Sequence, residues 1–473
     1  MTEHEDLCAL DALEQSRRLA AGEISAAELM QATLSRIEAV NGTVNAIVSL
    51  AEPELLLAEA RAADAAPRRG WLHGIPVAIK DLADAAGFPT SMGSPLFAGQ
   101  IAERDDIMVA RLRAAGAIVI GKTNTPEFGM GSNTFNPVHG ITRNPYASDR
   151  TAGGSSGGAA AALAARMISV ADGSDMMGSL RNPAAWNNVY GMRPSWGTVP
   201  SEPEGDLFLH QLATAGPMAR SPGDLAALLD TMTGADPRQP HGASPPDTLP
   251  DLDRPTGALR LGWLGDWGGA LPFDPGLLEF SAAGVAALAA LGHEVTELAA
   301  PFPAEAIWES WTCLRSWAFA GGLGALYDDP ARRPALKTAA QWEIARGQGF
   351  GAMQVHRASV IRSDWFRAAT GLFQAQDVLV LPTTQVWPFD AGIEHPVEIA
   401  GQGMDSYHRW MEVVVPAGLL GLPVVNIPIG FSEQGLPAGL QLIGPRGSDA
   451  LLLRLAQQWH KATDWPGRRP PVL

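Results

Sequence analysis

The chain has 473 residues, 46% of them hydrophobic and 18% charged, which permits a sizeable core and excludes wholesale disorder. Lys and Arg number 34 against 50 Asp and Glu, a formal charge of −16 that argues against a nucleic-acid or anionic-membrane surface. Two cysteines, Cys8 and Cys313, imply no disulfide framework, and the acidic start MTEHEDLCALDALEQ lacks an apolar leader, so a cytoplasmic protein is expected.

In chain order, Ser25 with Glu28 three residues on is a capping box for an amphipathic helix running through Val40. Residues 55–65 read as a second helix. Residues 74–81, GIPVAIKD, read as a short buried strand ending on Lys80. A helix over 108–115 precedes a strand over 117–121 that leads to Lys122. These are two of only four lysines, the others being Lys337 and Lys461. Residues 144–150 read as a loop into 150–159, RTAGGSSGGA, where four glycines surround Ser155 and Ser156. The strong helix formers of 158–167 predict a helix whose free N–H groups point back at that loop, a place suited to developing negative charge. A second tight turn follows over 175–183, DMMGSLRNP, and holds Ser179.

Residues 225–232 read as a helix, 236–255 as a Pro- and Asp-rich surface linker, 260–264 as a strand and 277–291 as a helix. The region 301–376 has weak strand signals and holds Trp308, Trp311, Trp317, Trp342 and Trp365. Trp308 and Trp311 share a helical face, either as helix core or as the aromatic wall of a substrate pocket. Residues 377–382 read as a parallel-type buried strand, 424–428 and 439–443 as two more, and 449–461 as a closing helix. The apolar run 413–431 is long enough to suggest a membrane span, but Pro416, Pro423, Pro428 and Asn426 interrupt it, so buried strands and loops are expected. Elements alternate and strands come from both ends of the chain. The expected fold is a single α/β domain with a mixed, mostly parallel twisted sheet flanked by helices on both faces.

The serines admit several readings. Residues 153–157, GGSSG, match the nucleophile elbow G-x-S-x-G, but an elbow should follow a strand and no histidine stands out as its base. A more specific pattern is the ordered series GIPVAIKD (74–81), GKTNTPEF (121–128), GGSSGG (153–158), GSLRNP (178–183), GMRP (191–194), GPMAR (216–220) and the late GLPVV and GLPAGLQ. Together these blocks resemble the amidase signature family over residues 8–461. The resemblance implies a Ser–cis-Ser–Lys hydrolase of C–N acyl bonds that acts on a small amide without metal or cofactor, as a monomer or homodimer. By matching position, Ser179 would be the acyl-enzyme nucleophile, Ser155 the bridging serine behind a cis peptide, and Lys80 the base.

The chemistry agrees. A serine hydroxyl needs an adjacent base, and a lysine serves only with a lowered pKa, which burial at the end of an apolar strand supplies. The N–H groups of Met176, Met177, Gly178 and Ser179 are the expected oxyanion hole. Asp175 and Arg181 are expected to hold the turn by a buried ion pair, and Ser156 to support Lys80. The family usually has Gly-Gly-Ser where this chain has Met177-Gly178-Ser179, which leaves open whether the methionine enters the pocket or the core. With the tryptophans after Pro301 it suggests an apolar pocket for aryl or alkyl substrates. Specificity is expected in 201–212 and 301–376, and carbamates or esters are conceivable substrates. The alternative is the amidase-like subunit of a tRNA-dependent amidotransferase, in which the same blocks occur. A pseudoenzyme is disfavoured by three intact catalytic positions.

Overall fold

A computed structural model describes residues 7–473; residues 1–6, the first part of the acidic start, lie outside it. Two sheets organise the chain. The smaller has three strands in the order β1–β3–β2: β1 is Ile47–Val48, β2 is Pro76–Lys80 and β3 is Ile118–Thr123. β2 and β3 are parallel and β1 runs against β3. The larger sheet holds β4 (Val170–Asp175), β5 (Tyr190–Arg193), β6 (Thr214–Ala219), β7 (Arg260–Trp263), β8 (Glu294–Glu297), β9 (Val378–Pro382), β10 (Val424–Phe431) and β11 (Pro437–Ile443). Their order is β8–β7–β9–β11–β10–β5–β6–β4.

This corrects the expectation of a mostly parallel sheet. Only β7–β8 and β7–β9 are parallel, and the remaining five ladders are antiparallel. The reason is connection length. β7 reaches β8 through the helix Leu277–Ala290, the crossover a parallel pair needs, whereas β10 and β11 are joined by five residues and must reverse. An apolar run reports burial on both faces; it carries no direction.

Alternation along β9 shows how the sheet divides the core. Val378 and Val380 pack with Leu228, Leu288 and Leu455 on one side; Leu379 and Leu381 pack with Trp311, Trp365 and Leu419 on the other. The region 301–376 supplies three helices, Ala304–Asp328, Thr338–Gln348 and Ala352–Ala375, on the second side. The apolar run after 413 becomes a 3₁₀ turn, the short helix Val415–Leu420 and β10. Among the described residues no helix is long and apolar enough to cross a membrane. The stretch 236–255 is loop with one 3₁₀ turn, Leu249–Asp251. The capping box at Ser25 forms as read, opening the helix Ala26–Val44.

Candidate active site

Lys80 closes β2 and is 1% exposed. Its Nζ donates to the hydroxyl oxygens of Ser155 at 2.7 Å, Ser156 at 2.9 Å and Ser174 at 3.1 Å. Burial pushes the Lys80 pKa down to about 7, against the opposing charges of Asp172 and Asp175. Asp172, also buried, accepts the Lys80 backbone N–H at 3.0 Å, and burial raises its carboxyl to about 6. Asp172 and Ser174 are two apart on β4 and so share a face that meets the end of β2.

The peptide Gly154–Ser155 is cis. Its loop is pinned by hydroxyls on both sides: Ser132 donates to the Gly154 carbonyl at 2.6 Å and Thr134 to that of Gly153 at 2.7 Å. The segment 144–150, read as a loop, is instead a small hairpin, Arg143–Asn144 against Ala147–Thr151. A strand therefore does precede Gly-Gly-Ser-Ser-Gly, but outside the main sheet. The Ser155 hydroxyl meets a lysine, and among the described residues no histidine lines the cavity it faces, so the elbow reading is withdrawn.

The helix after this loop, Gly157–Ala164, has part of its N-terminus engaged away from the loop. Its Gly158 N–H goes to the Asn124 carbonyl at 3.1 Å, and the preceding Ser156 N–H goes to the carbonyl of Ser179 at 3.2 Å. Backbone approach explains the glycine: a Cβ on Gly158 would stand 2.3 Å from Asn124 N.

The second turn is built around Asp175. Its carboxylate accepts the N–H of Gly178 at 2.9 Å and of Leu180 at 3.1 Å, and pairs with Arg181 at 3.0 Å, both side chains fully buried. Arg193 adds a second guanidinium at 3.4 Å and donates to the Asp175 carbonyl. Burial opposes ionisation of Asp175, but Arg181 and then Arg193 outweigh it and hold the carboxyl well below its usual range. Burial lowers Arg193 to about 10. Of the four N–H groups expected to face an oxyanion, that of Gly178 is not available. The N–H of Gly178 is spent on Asp175, while those of Met176, Met177 and Ser179 have no partner among the described residues. Gly178 sits at φ +79°, where a Cβ would strike Asn182 Oδ1 at 2.8 Å. Met177 has no such constraint, so a side chain is tolerated there.

Ser155, Ser174 and Ser179 share the wall of one cavity of about 170 Å³. The Ser179 backbone carbonyl is taken by the Ser156 N–H at 3.2 Å, and the residue stands on the wall of this cavity. The rest of the wall includes Met176, Met177, Met411, Phe128, Phe319 and Arg315. Met177 is at once 3% exposed in the second core and part of this wall, so the alternatives for it merge. Of the two readings of Trp308 and Trp311, helix core holds, and the cavity's aromatics are Phe128 and Phe319. Among the described residues none of 201–212, where specificity was expected, lines it; the neighbouring Ala213 does. Sequence reasoning missed Ser174, Asp172, Ser132, Thr134 and Arg193. The alternation of Asp172 with Ser174 ahead of Ser179 was the one available signal. Among the described residues no group of three or more His, Cys, Asp or Glu side chains is placed to hold a metal ion.

This frame is shared with known proteins. The Amidase family model matches residues 28–453, inside the 8–461 spanned by the sequence blocks. The chain is 36% identical over 490 residues to one of the subunits of the glutamyl-tRNA(Gln) amidotransferase of Azotobacter vinelandii, covering 96% of this chain and 98% of that protein. It is 32% identical over 491 residues to an acylamidase of Rhodococcus erythropolis, covering 99% and 98%. The crystal structure of a bacterial aryl acylamidase of the amidase signature enzymes superposes with a TM-score of 0.90 at 26% identity, covering 98% of this chain and 99% of that one.

Proposed function

This chain belongs to the amidase signature family of enzymes acting on C–N bonds, and from that membership we propose that it hydrolyses a small, apolar or aryl amide through a Ser179–Ser155–Lys80 relay. The observation that carries the proposal is the buried Lys80 amine, lowered to about 7 and 2.7 Å from the Ser155 hydroxyl, on the cavity that holds Ser179. Ser179 Oγ attacks the carbonyl carbon. Its proton passes to Ser155 Oγ as the Ser155 proton passes to Lys80 Nζ. The carbonyl oxygen becomes an oxyanion held by the N–H groups of Met176, Met177 and Ser179. Lys80 then returns a proton through Ser155 to the leaving nitrogen, the C–N bond breaks, and Ser179 keeps the acyl group. A water molecule repeats the sequence and releases the acid. Carbamates and aryl esters are further substrates to try. A leaving phenoxide needs less proton donation than an amine.

Ser179→Ala should abolish labelling by a fluorophosphonate probe and leave no turnover of a p-nitroanilide. Labelling at Ser155 in its place would overturn the assignment. The purified chain should act alone, without ATP or tRNA, and dialysis against a chelator should leave its rate unchanged.

The second reading is that of an amidotransferase component, favoured by the 36% identity to such a protein. The cavity wall speaks for the first reading. Arg315 is the charged residue among those lining it, and that charge is already paired with Glu343, which leaves nothing for both ends of a free glutamine. If glutamine is the sole amide accepted, and only with a partner protein present, the second reading holds.

A further inference from the structure

Arg315 reaches the cavity from the helix Ala304–Asp328 and is 3% exposed. Behind the wall it is fully engaged. Its Nε donates to Glu343 at 2.9 Å and its Nη2 to the Tyr407 hydroxyl at 2.8 Å. Glu343, wholly buried, also accepts the hydroxyls of Tyr407, at 2.9 Å, and of Ser316. The pair is neutral as a unit and its carboxylate is saturated. The Phe319 ring lies against the guanidinium, 4.7 Å from its centre, and helps fix its plane.

The third nitrogen is different, and its partner is itself a residue of the cavity wall. Among the described residues Nη1 meets only the thioether of Met176, at 3.2 Å. Sulfur is a weak acceptor, so a buried guanidinium N–H forgoes most of the charge-assisted bond it can make. Methionine is flexible, and Met176 is only half-buried, so it can yield to a better acceptor.

Building on the amidase reading, we infer that Arg315 Nη1 is a specificity group of this cavity, donating a hydrogen bond to a neutral carbonyl-type oxygen on the non-reacting part of the substrate in place of Met176 Sδ. The acceptor is neutral because Glu343 already balances Arg315. A carboxylate would bring an uncompensated charge among Phe128, Phe319, Met177 and Met411. A wholly hydrocarbon substrate leaves the nitrogen with sulfur and gains nothing from it.

The test is binding to Ser179→Ala, measured by calorimetry with four ligands: hexanamide, 4-oxohexanamide, 5-oxohexanamide and adipic monoamide. The expected result is that a keto amide binds about tenfold or more tightly than hexanamide, and that adipic monoamide does not exceed it. Arg315→Lys in the same background keeps a cation for Glu343 but loses Nη1, so the keto-to-hydrocarbon ratio should fall to near one. Should that variant fail to fold, the double change Arg315→Met with Glu343→Gln removes both charges together and should give the same loss. No keto preference, a preference that survives in a folded Arg315 variant, or tighter binding of the carboxylate would each overturn the inference. Turnover of hexanoyl p-nitroanilide by the unmutated protein, and its loss in Ser179→Ala, reports separately on the hydrolase reading.

Discussion

Lys80 ends one strand of the three-stranded sheet and Lys122 stands next to last in the strand beside it, one register step apart, and both are buried. Burial lowers the pKa of both. Their partners separate them. Lys122 Nζ donates to the Ala83 carbonyl at 2.5 Å and to Thr90 at 3.1 Å, with Asp81 at 3.9 Å. A carbonyl and a carboxylate only accept, so they hold the ammonium form and spend it on packing the fold. Lys80 is met by three serine hydroxyls, each able to donate or accept. That surrounding serves the amine in either protonation state, as a relay requires. The two buried lysines thus differ in the hydrogen-bonding character of their neighbours, and on the proposed relay that difference separates a structural lysine from a catalytic one.

The largest expected effect breaks the pair apart. Lys80→Met should lower kcat/KM for an anilide by about 10²–10⁴-fold with the fold retained. Lys122→Met should leave kcat within a few-fold and lower Tm instead, since it takes the hydrogen bond from the buried Ala83 carbonyl and the nearby cation from the Asp81 carboxylate. An equal loss of turnover in a folded Lys122→Met protein would abolish the distinction.

The pH profile sharpens it. With its pKa depressed to about 7, Lys80 is neutral above that pH and protonated below. The reactive form therefore declines as pH falls, and kcat/KM should rise about tenfold per unit up to roughly pH 7 and then level off. The same midpoint is expected in Lys122→Met; a midpoint moved by a full unit would tie Lys122 into the site.

Ser174→Ala tests the hydroxyl shell. Removing one of three partners, on the strand that also carries Asp172, should cost about tenfold in kcat and displace the pH midpoint. An unchanged midpoint would make Ser174 a spectator. The smallest effect is expected at Met177→Gly. Its side chain is both core and cavity wall, so a lower Tm should accompany a several-fold change in the ranking of anilide against acetamide. A lower Tm with the ranking intact would assign it to the core alone.

Much of this site was legible in the chain. The blocks holding Lys80, Ser155 and Ser179 pick out residues that the fold brings together, Lys80 Nζ 2.7 Å from the Ser155 hydroxyl and Ser179 on the same cavity wall as Ser155, and the Asp175–Arg181 pair and the Ser156–Lys80 bond form as expected. Ser174 and Asp172 were not marked because a single polar residue on a strand looks the same whether it meets solvent or a lysine from another sheet. Gly178 was read as an oxyanion donor because its place in the turn suggested it; the side chain three residues earlier takes that N–H. Of the two readings of the tryptophans, helix core holds: Trp308 and Trp311 share a face with Arg315, and the helix meets the cavity further along, at Arg315 and Phe319.

By itself the sequence determined what local interactions decide: the capping box at Ser25, the strand ending on Lys80, the tight turns around Ser155 and Ser179, the helices of 301–376 and the burial of the apolar runs. Only the tertiary structure decided the direction of strands in the large sheet, the partners of each buried lysine and which N–H groups stay free. Those depend on segments far apart in the chain. Ser155 lies 75 residues from Lys80 and Ser174 lies 94 away, and no local preference brings them within 3.1 Å. Packing of β4 against the end of β2 does.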